Sequence, residues 1–134
     1  MNTKYIKIEQ NDLRNANPAI QQAGRILREG GLVAFPTETV YGLGANGLDA
    51  AAVGKIFQAK GRPADNPLIL HIADREALAS LVREVPTWLE PVLERFWPGP
   101  LTVVLPRADC VPDIVTAGLD SVAVRLPSSP VARE

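Results

Sequence analysis

The chain has 134 residues, 46% hydrophobic and 22% charged, with a formal net charge of −1, values close to those of soluble globular proteins and unlike disordered or membrane-embedded ones. That length allows one ordinary domain or part of one, enough for a core but short for an enzyme with two substrate sites. The single cysteine, Cys110, excludes an internal disulfide and, without a Cys or His cluster around it, gives no basis for a structural zinc site.

In chain order, Lys4 to Glu9 alternates polar and apolar residues and is expected to form a strand. Asn17-Pro18 reads as an N-cap and first helical position for a helix reaching Glu29, with Ile20, Ala23 and Leu27 on one face and Gly30-Gly31 as its stop. Leu32 to Phe35 is apolar on both sides of the pleat, which predicts a strand covered on both faces. Pro36 to Gly47 is glycine-rich and hydroxyl-rich and reads as a long shaped loop. Asp49 caps a helix to about Ala59 whose buried stripe is Ala52, Val53, Ile56 and Phe57. A second loop runs from Lys60 to Pro67. Leu68 to Ile72 is expected to be another buried strand, and Asp74 starts a short helix carrying Leu78, Leu81 and Val82. Thr87-Trp88-Leu89-Glu90 has the spacing of a capping box, and its helix is halted by Trp97-Pro98-Gly99-Pro100. Strands return at Leu101 to Leu105 and Val122 to Leu126. Ser128-Ser129-Pro130 opens a last helix, and a chain that stops one turn into a helix is expected to be a truncated domain.

No apolar run approaches the roughly 20 residues that span a bilayer, and no apolar signal segment follows Met1, so the expected address is the cytoplasm. Basic residues are spread along the chain, and composition gives no reason for tight nucleic-acid binding.

Three segments hold the unusual polar residues: Thr37 to Tyr41, Lys60 to Asn66, and Ser121 to Arg125, with His71 nearby. Ligands of open sheets sit at strand ends, so the first two loops are candidates for one cleft. Thr37, Thr39 and Tyr41 offer hydroxyls to a polar ligand; equally, the threonines can simply cap a turn. Lys60 and Arg62 stand at a helix C-terminus, where cations favour the helix dipole. Gly61 and Pro63 stiffen that loop, however, and two cations held together suit a triphosphate. The loop is not a Walker motif. Asn66 can add an amide contact or only shape the turn before the strand. His71, inside an apolar strand, reads by default as a core histidine and alternatively as a ligand for a small polar substrate. Ser121 and Arg125 are four apart and share one strand face, where the arginine can clamp a carboxylate or pair at the surface. No nucleophile elbow and no metal-ligand cluster are present.

Four segments taken in order carry a resemblance: Phe35-Pro36-Thr37-Glu38-Thr39-Val40-Tyr41-Gly42-Leu43-Gly44, Lys60-Gly61-Arg62-Pro63 with Asn66-Pro67-Leu68, Trp97-Pro98-Gly99-Pro100-Leu101-Thr102, and Val122-Ala123-Val124-Arg125-Leu126-Pro127. Together they resemble the YrdC-like family of threonylcarbamoyl-AMP synthases over nearly the whole chain. The resemblance implies an α/β fold, a twisted open mixed β-sheet flanked by helices with a concave, positively charged cavity. Residues 1–134 would form one such domain, incomplete at its C-terminal end, because the family's later serine-x-asparagine motif does not occur.

The implied reaction joins L-threonine, bicarbonate or CO2, and ATP into threonylcarbamoyl-AMP and diphosphate, with Mg2+ accompanying the nucleotide and no metal bound by protein ligands. The product would pass to a transferase that modifies tRNA, and the family is also linked to RNA binding. By the same resemblance Thr39, His71 and Arg125 contact threonine, and Thr37 and Tyr41 shape that pocket. Arg62, Asn66 and Ser121 contact the nucleotide, and Lys60 binds phosphate or carbamate oxygens, so that Lys60 and Arg62 are the candidate catalytic cations. Two other readings fit the same loops: an RNA- or nucleotide-binding module without chemistry, and the carbamoyl-transfer domain of a hydrogenase maturation-type protein using carbamoyl phosphate.

Overall fold

A computed structural model describes residues 2–134. Its first helix, α1 (Leu13–Arg28), starts earlier than Asn17-Pro18 predicts. Asp12 provides the N-cap, its carboxylate accepting from the Asn15 N–H. Pro18 lies inside the helix, where it removes one N–H donor. Ala16 and Ile20 are both buried, so the apolar face runs across the proline and outweighs that loss. The expected strand from Lys4 to Glu9 does not form: the segment is almost wholly exposed, and among the described residues no strand pairs with it.

Next, β1 (Val33–Phe35) pairs antiparallel with β2 (Gly42–Gly44), Val33 opposite Gly44 and Phe35 opposite Gly42. Two expectations change here. Part of the glycine-rich stretch is a strand rather than loop, and β1 is only partly covered, with Ala34 exposed. Then α2 (Ala50–Lys60) follows the sequence reading closely. Asp49 accepts from the Ala51 and Ala52 N–H groups, and Ala52, Val53, Ile56 and Phe57 are buried. Gly61 ends it in the left-handed region, at φ 60°, its N–H on Gln58 and the Arg62 N–H on the Phe57 carbonyl. A side chain with a Cβ would strain that cap.

The second sheet has three strands, ordered β3 (Ile69–His71), β5 (Ser121–Arg125), β4 (Thr102–Pro106). β5 lies between a parallel and an antiparallel neighbour, so this sheet is mixed. The inner face contributes Leu70, Val103, Leu105, Val122 and Val124 to the core. Against it pack Val53 and Phe57 of α2, Leu78 and Leu81 of α3 (Leu78–Leu81), Leu93 of α4 (Glu90–Phe96), and Val115 of α5 (Asp113–Thr116). The middle of the outer face is open among the described residues, where Ile69 and Val104 are 42% and 63% exposed. β3 is therefore half-buried, not covered on both faces as its apolar run suggests. Its residues alternate exposed, buried, exposed, as in a sheet packed on one side.

The capping box expected at Thr87 does not form. Thr87–Leu89 is a 3-10 turn with no side-chain cap, and Glu90 pairs with Arg75 instead of reaching back. Trp97, which stops α4, is buried and donates its indole N–H to the Leu101 carbonyl at 2.8 Å. Gly99 then donates to the Leu126 carbonyl at 2.9 Å, docking this turn on the end of β5. A Cβ on Gly99 would lie 2.7 Å from the Phe96 carbonyl oxygen, so no other residue fits without a backbone shift. A last short helix, α6 (Pro130–Arg133), is capped by Ser129 as its sequence predicts. No helix among the described residues is long and apolar enough to cross a membrane.

Leu93 is 1% exposed at the centre of this core. Leu93→Ala is expected to cost about 2–5 kcal/mol in urea unfolding, whereas Trp88→Ala, at an exposed position, should change stability by less than about 0.5 kcal/mol. Equal effects would mean that the helix face is wrongly assigned.

Candidate functional site

Register builds the site. His71 of β3 and Thr102 of β4 are both direct partners of Arg125 in β5, so the three side chains form one row across the open face. Arg125 Nε donates to Thr102 Oγ1 at 2.9 Å, which fixes the plane of the guanidinium. Ser121 shares the face of Arg125, as the period-two reading requires, and its partner is Pro106. The apolar row Ile69, Ala123, Val104 lies between the two.

The loop after β1 folds over the Arg125 end. Phe35 meets the His71 ring edge-on, with centroids 6.1 Å apart. Glu38 Oε2 accepts from the Ser128 N–H at 3.1 Å, and Oε1 stands 3.8 Å from an Arg125 terminal nitrogen. That separation is within ion-pair range but beyond hydrogen-bond length. Thr37 holds the loop itself: its hydroxyl donates to the Val40 carbonyl at 2.6 Å and accepts from the Thr39 N–H at 3.2 Å. The Thr37 and Thr39 hydroxyls are 3.1 Å apart. Because the one Thr37 proton goes to Val40, Thr39 is the donor in that pair, and its own lone pairs remain for a ligand. The turn-capping reading thus describes Thr37, while Thr39 and Tyr41 are exposed at the rim.

His71 is not a core histidine. It stands on the outer face as an exposed residue whose ring is shielded on one side by Phe35. Burial of the ring and, second, the positive charge of Arg125 lower its pKa from the ordinary 6.5, and Glu38 opposes them in part. Neutral imidazole is therefore the form at pH 7, with one nitrogen donating and one accepting.

Lys60, Arg62 and Asn66 belong to a different part of the face. Their loop enters β3 at its start, and the parallel register puts that end beside Ser121. The Thr37–Tyr41 loop adjoins the other end of β5, at Arg125, so the two loops enter the face from opposite ends of that strand. Lys60 and Asn66 are exposed. Arg62 lies over the Phe57 ring at 5.4 Å, and its Nε is buried without a hydrogen-bond partner. Stacking fixes the stem of this arginine and leaves a donor to be satisfied.

Two residues had no assigned role in the sequence reading, Glu38 and Thr102, although both lie inside the quoted motifs. Thr102 is identified by register alone. Glu38 is a single acid between two threonines, and that polarity next to an apolar strand was its only signal. Among the described residues no group of three His, Cys, Asp or Glu side chains could hold a metal ion.

His71 is the chain's single histidine, so its titration can be followed as one imidazole signal by NMR. The midpoint should fall below 6.5. Glu38→Gln should lower it further and Arg125→Ala should raise it, because the first removes an anion and the second a cation. Protonation opposes the folded state here, so this contribution to stability is complete above the unfolded value and is lost as the pH falls through the native one. A midpoint above the ordinary value would contradict the described surroundings.

The Sua5/YciO/YrdC family model, described as "Telomere recombination", matches residues 25–134. Threonylcarbamoyl-AMP synthase of Pyrococcus abyssi is 61% identical over 113 residues, covering 84% of this chain and 33% of that protein. The Bacillus subtilis enzyme of the same name is 51% identical over 134 residues, covering 98% of this chain and 39% of that protein. The crystal structure of P. abyssi Sua5 complexed with L-threonine superposes with a TM-score of 0.85 at 55% identity, covering 96% of this chain and 36% of that one. The chain thus spans little more than a third of the length of these relatives, and within that span it belongs to the Sua5/YciO/YrdC family.

Proposed function

We propose that this chain carries the L-threonine pocket and one wall of the nucleotide site of a threonylcarbamoyl-AMP synthase. The observation that carries the reading is the row His71, Arg125, Thr102 under the Thr37–Thr39 turn. A fixed guanidinium suits a carboxylate, while a neutral imidazole and hydroxyl acceptors suit an alcohol and an amine. The similarity to a Sua5 structure complexed with L-threonine supports that choice of ligand.

In the proposed reaction the threonine amine attacks the carbon of CO2 or bicarbonate. The new N–C bond makes a carbamate, and from bicarbonate the displaced oxygen leaves as water. A carbamate oxygen then attacks the α-phosphorus of ATP, and the bond to the bridging oxygen breaks to release diphosphate. Arg125 holds the carboxylate, and Thr39 and His71 contact the remaining polar groups. Lys60 and Arg62 offset charge on the phosphates and on the carbamate, with Asn66 and Ser121 completing the nucleotide contacts. Mg2+ would arrive on the triphosphate, whose oxygens suit it. The product would serve a tRNA-modifying transferase in the cytoplasm.

Calorimetric titration separates the two ends of the site. Arg125→Ala removes charge-assisted hydrogen bonds worth about 1.5–3 kcal/mol, and so should weaken L-threonine binding about 10- to 100-fold while leaving ATP affinity nearly unchanged. Arg62→Ala should do the reverse. Formation of threonylcarbamoyl-AMP from labelled threonine, bicarbonate, ATP and Mg2+ completes the test. Threonine affinity indifferent to Arg125→Ala, or no adenylate product, would sink the reading.

A further inference from the structure

Beside Arg125, Glu38 places an anion in the same partly enclosed corner. The two side chains are only 12% and 17% exposed. The Ser128 N–H on Oε2 fixes the direction of the carboxylate and leaves Oε1 buried with no hydrogen-bond partner. At 3.8 Å from Arg125, Oε1 gains an ion pair without a hydrogen bond, and because it has no exposed surface a ligand reaches it only by parting the carboxylate from its neighbours. A buried carboxylate oxygen that accepts nothing is uncommon in folded proteins and marks a position worth explaining.

Resting on the threonine reading above, we propose that Glu38 accepts a hydrogen bond from the α-ammonium of the amino acid whose carboxylate Arg125 holds, making the pair a recognition element for the zwitterion. An α-amino acid carries its two charges on one carbon, so a side-by-side cation and anion meet both at once with opposite polarity. The neighbouring groups cannot replace Glu38 as a counter-charge: His71 is neutral at pH 7, Thr37, Thr39 and Thr102 are uncharged, and Arg125 has the same sign as the ammonium. A carboxylate also accepts from a neutral amine, so the contact persists when the nitrogen loses its proton before attacking carbon. Glu38 in this role determines specificity for amino acids over hydroxy acids of the same shape.

The test compares L-threonine with (R)-3-hydroxybutyrate, which has the same carbon chain, hydroxyl and carboxylate but no amine. Binding of both to the whole chain is measured by calorimetry at pH 7.5. Wild type should prefer threonine, and Glu38→Gln should weaken threonine binding about tenfold, as expected for a charge-assisted contact. The same variant should bind (R)-3-hydroxybutyrate as well as wild type does or better, so that the preference collapses. The amide oxygen of Gln can still accept from Ser128, and an unchanged urea midpoint is expected. Where that variant does not fold, Glu38→Asp, which keeps the charge but withdraws it by one carbon, should give an intermediate preference. Equal weakening of both ligands would overturn the proposal and leave Glu38 as a support for Arg125, as would threonine affinity that ignores either substitution. Wild type that binds neither ligand would instead overturn the threonine reading itself.

Discussion

The site depends on the register of β5. This strand is the only one paired on both sides in the three-stranded sheet, parallel to β3 and antiparallel to β4. Its alternation sends Val122 and Val124 into the core and Ser121, Ala123 and Arg125 to the open face. A slip of one residue would turn the valines to solvent and drive the Arg125 guanidinium among Leu70, Val103 and Leu105. Burying an unpaired charge there is far costlier than exposing two valines. The apolar core therefore fixes which residues stand in the polar row, and the packing of α2, α4 and α5 against the inner face is part of how His71, Arg125 and Thr102 are aligned.

Once Arg125 faces outward, its surroundings determine what it can hold. Thr102 fixes the guanidinium from the strand side, and Glu38 reaches over from the first loop, tied to Ser128 ninety positions along the chain. The loop is thereby anchored to the segment that follows β5, and the internal bonds of Thr37 keep it from relaxing. Burial of the ring, one side of which meets Phe35, and then the nearby Arg125 cation lower the pKa of His71. The corner so formed combines a cation, an anion, a neutral imidazole and a hydroxyl with unused lone pairs, a set that discriminates among small polar molecules by charge arrangement more than by shape.

How much of this the sequence announces varies with the range of the interaction. Local signals are legible: Asp49 and the Ala52, Val53, Ile56, Phe57 stripe define α2, Gly61 ends it, Ser129 caps α6, and Ser121 and Arg125 share a face. Each depends on residues within a turn or two of one another. Signals that require a partner are not legible. Lys4 to Glu9 alternates like a strand but has no strand to pair with, and Gly42–Gly44 does not look like a strand yet becomes one because β1 lies opposite. The apolar runs of β1 and β3 suggest cover on both faces, whereas only one side of β3 is packed. Thr87 and Glu90 have capping-box spacing, but Arg75, brought close by the tertiary fold, takes the glutamate. Glu38 and Thr102 could not be singled out because their importance is a contact with Arg125, far away in sequence.

The two groups of polar residues at opposite ends of β5 place a constraint on the proposed chemistry. An amino acid held at Arg125 and a nucleotide held near Ser121 must bring the carbamate oxygen to the α-phosphorus over the strip Ile69, Ala123, Val104. That strip carries no hydrogen-bonding side chain, so water above it has few partners, and a ligand lying across it would displace poorly held solvent. In the proposed reaction the exposed hydrophobic row would form the floor between the two ends. There Lys60 and Arg62 would follow the phosphates as charge shifts toward diphosphate, while Arg125 and Glu38 would keep the amino acid still.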